Sequence, residues 1–204
     1  MFDSKAEIGL TIQGEQPKKV VVRFPSDAEF ISWRRKKKVV QKDLGRRKFQ
    51  MEASKPEPCD LALVNAIRVD KEGAAIDEAE AVHIIGRLTE CEVPNRPDRE
   101  GSAYVIAMKV MRKLNTTHTL RIPSVKEQMD YERMRSSVIY GQYGQEIRIN
   151  FAAAGELYDK LKVSIDGYAH DVPVSHKAEA VNVLLQELRD EQDDTPDSDD
   201  EDQD

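Results

Sequence analysis

The chain repeats a long stretch of itself, which limits it to folds built from one kind of unit used twice. Val22-Arg23-Phe24-Pro25-Ser26-Asp27-Ala28-Glu29 is echoed by Leu120-Arg121-Ile122-Pro123-Ser124-Val125-Lys126-Glu127, 98 residues further on. Arg35 and Val40 recur at the same spacing as Arg133 and Val138. One inserted residue then moves the spacing to 99: Gly45, Ala53, Glu57, Asp60 and Val64 match Gly144, Ala152, Glu156, Asp159 and Val163. Ala79-Glu80-Ala81-Val82 matches Ala178-Glu179-Ala180-Val181 without a further gap.

Local signals run in parallel in the two halves. Ile8, Leu10 and Ile12 alternate, a Gly14–Pro17 turn follows, and Val20 to Phe24 reads as the return strand. In the second half Tyr104 to Met111 precedes Asn115-Thr116-Thr117 and a strand over Thr119 to Ile122. Each return strand ends in Pro-Ser, with a glutamate three residues after the serine: Ser26 with Glu29, Ser124 with Glu127. That is a capping box, in which the serine oxygen takes the third amide and the glutamate reaches back to the first. The spacing predicts helices over Asp27–Leu44 and Val125–Tyr140, stopped by Gly45 and Gly141. Short strands are expected at Lys48–Glu52 and Glu146–Phe151. Two further helices per half follow, at Asp60–Val69 and Asp77–Glu90, then at Gly155–Ile165 and His176–Arg189. Val181, Leu184, Leu185 and Leu188 share one face of the last.

The expected fold class is therefore α+β: two tandem similar units, each a β-hairpin followed by about three helices with a short extra strand. The first unit spans 1–93 and the second 102–189. Residues 94–101, rich in turn formers and charge, link them. The units are expected to pack about a pseudo-twofold axis, with the hairpins joining into one sheet.

The net charge of −7 hides an asymmetry. Residues 190–204 hold ten acidic residues, no basic residue, and no aliphatic or aromatic side chain. Such a segment cannot bury enough apolar surface to offset chain entropy, so a disordered acidic tail is expected there. Without it, residues 1–189 carry a balance of +3. The tail either solubilises the chain or competes with an acidic ligand for a basic patch.

Such a patch is visible. Between Arg34 and Lys48 stand nine basic residues against one acid, Asp43. On a continuous helix Phe30, Trp33, Val40 and Leu44 fall within about 80° of arc, with Lys37 inside it, forced to snorkel. Arg34, Arg35, Lys38 and Lys42 lie on the other side, and Arg46, Arg47 and Lys48 carry the charge past Gly45. These seven residues are the candidate surface for an anionic partner, nucleic acid or an acidic protein; the plainer reading is a solvated face. No aromatic residues are interleaved to stack bases.

No reactive constellation is legible. No glycine-rich phosphate loop and no nucleophile elbow occur, and His83, His118, His170 and His176 lack partners at metal-ligand spacing. Tyr158 and Lys162 have the Tyr-x-x-x-Lys spacing of short-chain dehydrogenases, without the dinucleotide loop that family needs; Tyr158 and Leu161 read as core and Lys162 as exposed. Cys59 and Cys91 read as half-buried small residues, and Trp33 as core. No enzyme activity, cofactor or metal is expected. No apolar run approaches a membrane span, and Met1 to Leu10 lacks the apolar core of a secretory signal, so a cytoplasmic protein is expected.

Phe24-Pro25-Ser26-Asp27-Ala28-Glu29-Phe30, followed by Arg34-Arg35 and Leu44-Gly45-Arg46, resembles a pattern of prophage-type tail accessory and tail assembly chaperone proteins. The resemblance covers about the first quarter of the chain. It implies a non-enzymatic protein that binds other tail components during assembly, in the host cytoplasm or the virion. The expected function is protein interaction or assembly, with nucleic-acid binding through the 34–48 segment as the alternative.

Overall fold

The computed structural model describes residues 5–10, 18–37, 41–43, 49–51, 55–71, 73–141 and 144–193, with the backbone alone at 41–43, 49–51, 137–141, 144–149 and 193. The architecture is α+β. The first half runs β1 (Lys5–Leu10), β2 (Lys18–Arg23), α1 (Asp27–Lys36), β3 (Gln41–Asp43), β4 (Phe49–Met51), α2 (Pro58–Ile67) and α3 (Glu78–Thr89). Two short strands follow, β5 (Cys91–Glu92) and β6 (Asp98–Glu100). The second half runs β7 (Ala103–Val110), β8 (Leu114–Arg121), α4 (Val125–Met134), β9 (Ser136–Gly141), β10 (Gly144–Ile149), α5 (Phe151–Leu161), β11 (Lys162–Asp166) and α6 (Val174–Asp193).

The hairpins form because apolar residues alternate. Ala6, Ile8 and Leu10 of β1 point inward, as do Tyr104, Ile106, Met108 and Val110 of β7. β1 pairs only with β2, while β7 and β8 lie in a larger antiparallel sheet ordered β11-β8-β7-β5, with β6 also on β7. The two hairpins thus belong to separate sheets, contrary to the single sheet expected. Beyond α2, Arg68 bridges to Val22 of β2; beyond α5, Lys162 pairs with Leu120 of β8. The core is one cluster drawing on both halves, from Ile8, Val20 and Val22 to Tyr158, Val181 and Leu184.

Both Pro-Ser corners fold alike. Ser26 Oγ accepts from the Glu29 amide and Glu29 reaches back to the Ser26 amide at 2.9 Å; Ser124 and Glu127 do the same at 2.8 Å. An arginine closes each corner: Arg23 grips Glu29 with both terminal nitrogens at 2.8 and 2.7 Å, and Arg121 grips Glu127 at 3.0 and 2.6 Å.

Several expected boundaries are corrected. α1 stops at Lys36 instead of Leu44, and Gln41–Asp43 is strand. Lys37 leaves the helix at ψ 122° while its N–H still bonds the Trp33 carbonyl, because its ammonium is drawn to Asp60. α4 stops at Met134 instead of Tyr140, and Val138-Ile139-Tyr140 lies in β9, as β-branched and aromatic residues favour. The helix expected over Gly155–Ile165 is α5, Phe151–Leu161; the rest becomes β11, held by its pairing with β8. Within the expected linker, Asp98–Glu100 forms β6 on β7. Asp190–Asp193, expected in the acidic tail, are the last turn of α6, where Glu191 pairs with Arg99 at 3.1 Å. Residues 194–204 lie outside the described residues. Part of the sequence echo also fails: Val64 sits within α2 and Val163 in β11, so that stretch of the match joins unlike elements.

Candidate functional site

The basic segment does not present one helical face. Arg34 and Arg35 fall in the last turn of α1. Arg34 is half-buried, its guanidinium 5.9 Å from the centre of the Phe151 ring, while Arg35 is exposed. Lys42 is on β3, where only the backbone is described, and Lys38, Arg46, Arg47 and Lys48 lie outside the described residues. Of the seven, the described side chains are Arg34 and Arg35, neighbours in the last turn of α1.

What sequence reading missed is a set of buried polar bonds. Asp60, at the start of α2, is fully buried. Its carboxylate accepts from the Trp33 indole at 2.8 Å, the Glu57 amide at 2.9 Å and the Lys37 ammonium. Lys37 also donates to the Lys55 carbonyl at 2.8 Å. Every strong partner of this ion pair is thereby supplied, which is the condition for burying charge. The position of Lys37 inside the apolar arc of α1 was the available signal.

Two histidines form the second set, where the halves meet. His118 of β8 and His176 of α6 are fully buried. Thr116 Oγ1 reaches the Met108 carbonyl and the His118 Nε2, each at 3.4 Å. A carbonyl only accepts, so Thr116 donates there and receives the Nε2–H; Nδ1 then accepts from the Tyr158 hydroxyl at 2.7 Å. By the same logic His176 Nε2–H donates to the Leu88 carbonyl at 3.0 Å, and Nδ1 accepts from Tyr168 at 3.0 Å. The Leu88 bond crosses from α6 to the end of α3. Tyr168 is aimed by Gly167, at φ +93°, where an added Cβ would come within 2.8 Å of the Asn115 carbonyl. Burial pushes both histidines down to about 4, so they are neutral near pH 7. The Thr116, His118, Leu120 alternation on β8 was the sequence signal that His118 faces inward.

Scans against protein-family models, curated proteins and solved structures find no match to this chain. The chemistry of its residues is therefore the guide. Burial pushes the Cys91 thiol up to about 12, which removes its thiolate character. Cys59 is raised too, by burial first and Asp60 second, and both cysteines are half-buried, as expected. Tyr158 and Leu161 are core and Lys162 is exposed, again as expected. Among the described residues no group of His, Cys, Asp and Glu is arranged to hold a metal, and no helix is long and apolar enough to cross a membrane.

The halves are joined across α1. Asp27 Oδ1 accepts from the Val174 amide at 3.0 Å, capping α6, and its other oxygen lies 3.5 Å from the Lys177 ammonium. Phe30 meets the Phe151 ring edge-on at 5.2 Å. Beside this seam an open cleft of about 550 Å³ runs between the first corner (Phe24, Pro25) and the approach to α6 (His170, Pro173).

Proposed function

We propose that this chain is a non-enzymatic protein-interaction or assembly protein made of two like tandem units, of the kind its resemblance to phage tail accessory and tail assembly chaperone proteins implies. The observation that carries the reading is the corner of Arg, Pro, Ser and Glu, built twice with the same bonds between a hairpin and a helix. The order hairpin, helix, hairpin, helix then recurs in both halves. So does the return to the first hairpin, by Arg68 on Val22 and by Lys162 on Leu120. Val22 and Leu120 are 98 apart and Arg68 and Lys162 are 94 apart, so the path between the two pairing points is four residues shorter in the second half. His118, His176, Tyr158, Tyr168 and the Lys37–Asp60 pair are all engaged in structural bonds, which favours a scaffold over a catalyst.

The test is capture from native lysate by the full chain, with nuclease added. A stoichiometric protein partner is expected; recovery of none overturns the reading. A second reading, nucleic-acid binding through the 34–48 segment under competition from the acidic tail, draws support from exposed Arg35 and Lys36 beside that run of basic sequence. It expects removal of residues 194–204 to tighten DNA or RNA binding, with a gain that shrinks in salt. Negligible binding before and after truncation ends it.

A further inference from the structure

In the first half the groove between α1 and α3 is filled by the second half. Asp27, Phe30 and Arg34 line its α1 side and the Leu88 carbonyl its α3 side. The filling pieces are the N-terminal ends of α5 (Phe151) and α6 (Val174, His176, Lys177). The corresponding positions on α4, 98 residues on, are Val125, Gln128 and Glu132. Gln128 and Glu132 border a groove of about 270 Å³ against α6, lined also by Leu185, Leu188, Arg189 and Gln192. Nothing among the described residues fills it, and on the same helix Val125 and Met129 are 73% and 51% exposed.

The complementary surface is uncovered among the described residues as well. The first-half counterparts of the filling pieces are the N-terminal ends of α2 and α3. There Pro56, Pro58, Ala74, Ala75 and Ala79 are exposed, whereas Val172, Pro173 and Val174 are buried at the same place in the second half. One interface is used inside the chain, and each of its two sides is left over once. The charged groups lining the groove, Glu132 and Arg189, pair with each other at 2.6 Å, so the groove is left to Gln128, Leu185, Leu188 and Gln192, as the exposed prolines and alanines of the ends require.

We propose that the α4–α6 groove of one molecule receives the N-terminal ends of α2 and α3 of a second copy, joining chains head to tail. The contact is heterologous, so it propagates until a ring closes or a filament grows. This rests on the reading of two like units.

The test is the mass of the purified full chain by sedimentation as concentration is raised. Gln128→Trp fills the groove and Ala75→Arg spoils the ends; circular dichroism checks that each variant folds. The unmodified chain is expected to grow in multiples of 23.2 kDa, while each variant alone stays at one chain. An equal mixture of the two is expected to stop at two chains, since only one intact pair of surfaces remains. An unmodified chain that stays single at every concentration overturns the proposal. So does association that survives in both variants, or a mixture that yields no two-chain species. The masses need no lysate partner, so a monomeric chain leaves the capture experiment free to succeed, and failure of capture leaves the masses to be judged alone.

Discussion

Asp60 is a fully buried carboxylate with three donors: an indole, an amide and an ammonium. Asp60→Asn leaves the Lys37 charge in the core without its counter-ion, a loss on the order of 3–5 kcal/mol. Urea denaturation reads it directly, and a cost below about 1 kcal/mol would mean that Lys37 reaches water when its partner is gone. Replacing both by apolar residues, Lys37→Met with Asp60→Leu, should recover much of the loss, because no charge is then left buried. Cys91 gives a second residue-scale expectation. With its thiol pushed up to about 12 by burial, it should resist alkylation at mildly alkaline pH until the chain is unfolded. Cys91 modified as fast as a free thiol in the native protein would contradict the burial.

The elements separate what local chemistry decides from what packing decides. A capping box needs only a serine and a glutamate three residues apart, so the starts of α1 and α4 were legible to the residue. Their ends were not. α1 stops where a lysine finds an aspartate from α2, a contact no window of sequence contains. β11 was read as helix for a similar reason: its pairing with β8 depends on a strand more than 40 residues earlier. The candidate site fared likewise. The basic run was plain, but its helical arrangement assumed eight residues that α1 does not have. The corners can be tested as elements. Ser26→Ala and Ser124→Ala should each cost about 1 kcal/mol. Glu29 and Glu127 are both held down at about 2, by their arginine first and the serine next. Arg121→Gln should return Glu127 toward 4.5 and leave Glu29 alone, as carboxyl NMR titration would report. Movement of both together would mean the corners are coupled.

At the scale of the molecule, the two buried histidines set how the fold responds to acid. Both have folded values of about 4 against 6.5 in the unfolded chain, with burial as the first cause. The unfolded chain therefore binds more protons between those limits. Stability is complete above pH 6.5 and falls as the pH drops toward 4, by about 3 kcal/mol for each histidine. The corner glutamates act in a lower window: their contribution is present above about 4.5 and lost as the pH falls toward 2, so the two effects separate along the pH axis. Denaturation at a series of pH values should show the slope between 6.5 and 4 cut to about half in His118→Gln or in His176→Gln. The two variants should differ in how the protein comes apart. His118 is bonded within the second half, to Thr116 and Tyr158, whereas His176 ties α6 to the end of α3. Amide exchange of α3 should therefore rise in acid more steeply than that of β7 and β8 if His176 is the weaker tie. Equal exchange in α3 and β7 down to pH 4 would mean that the halves open as one.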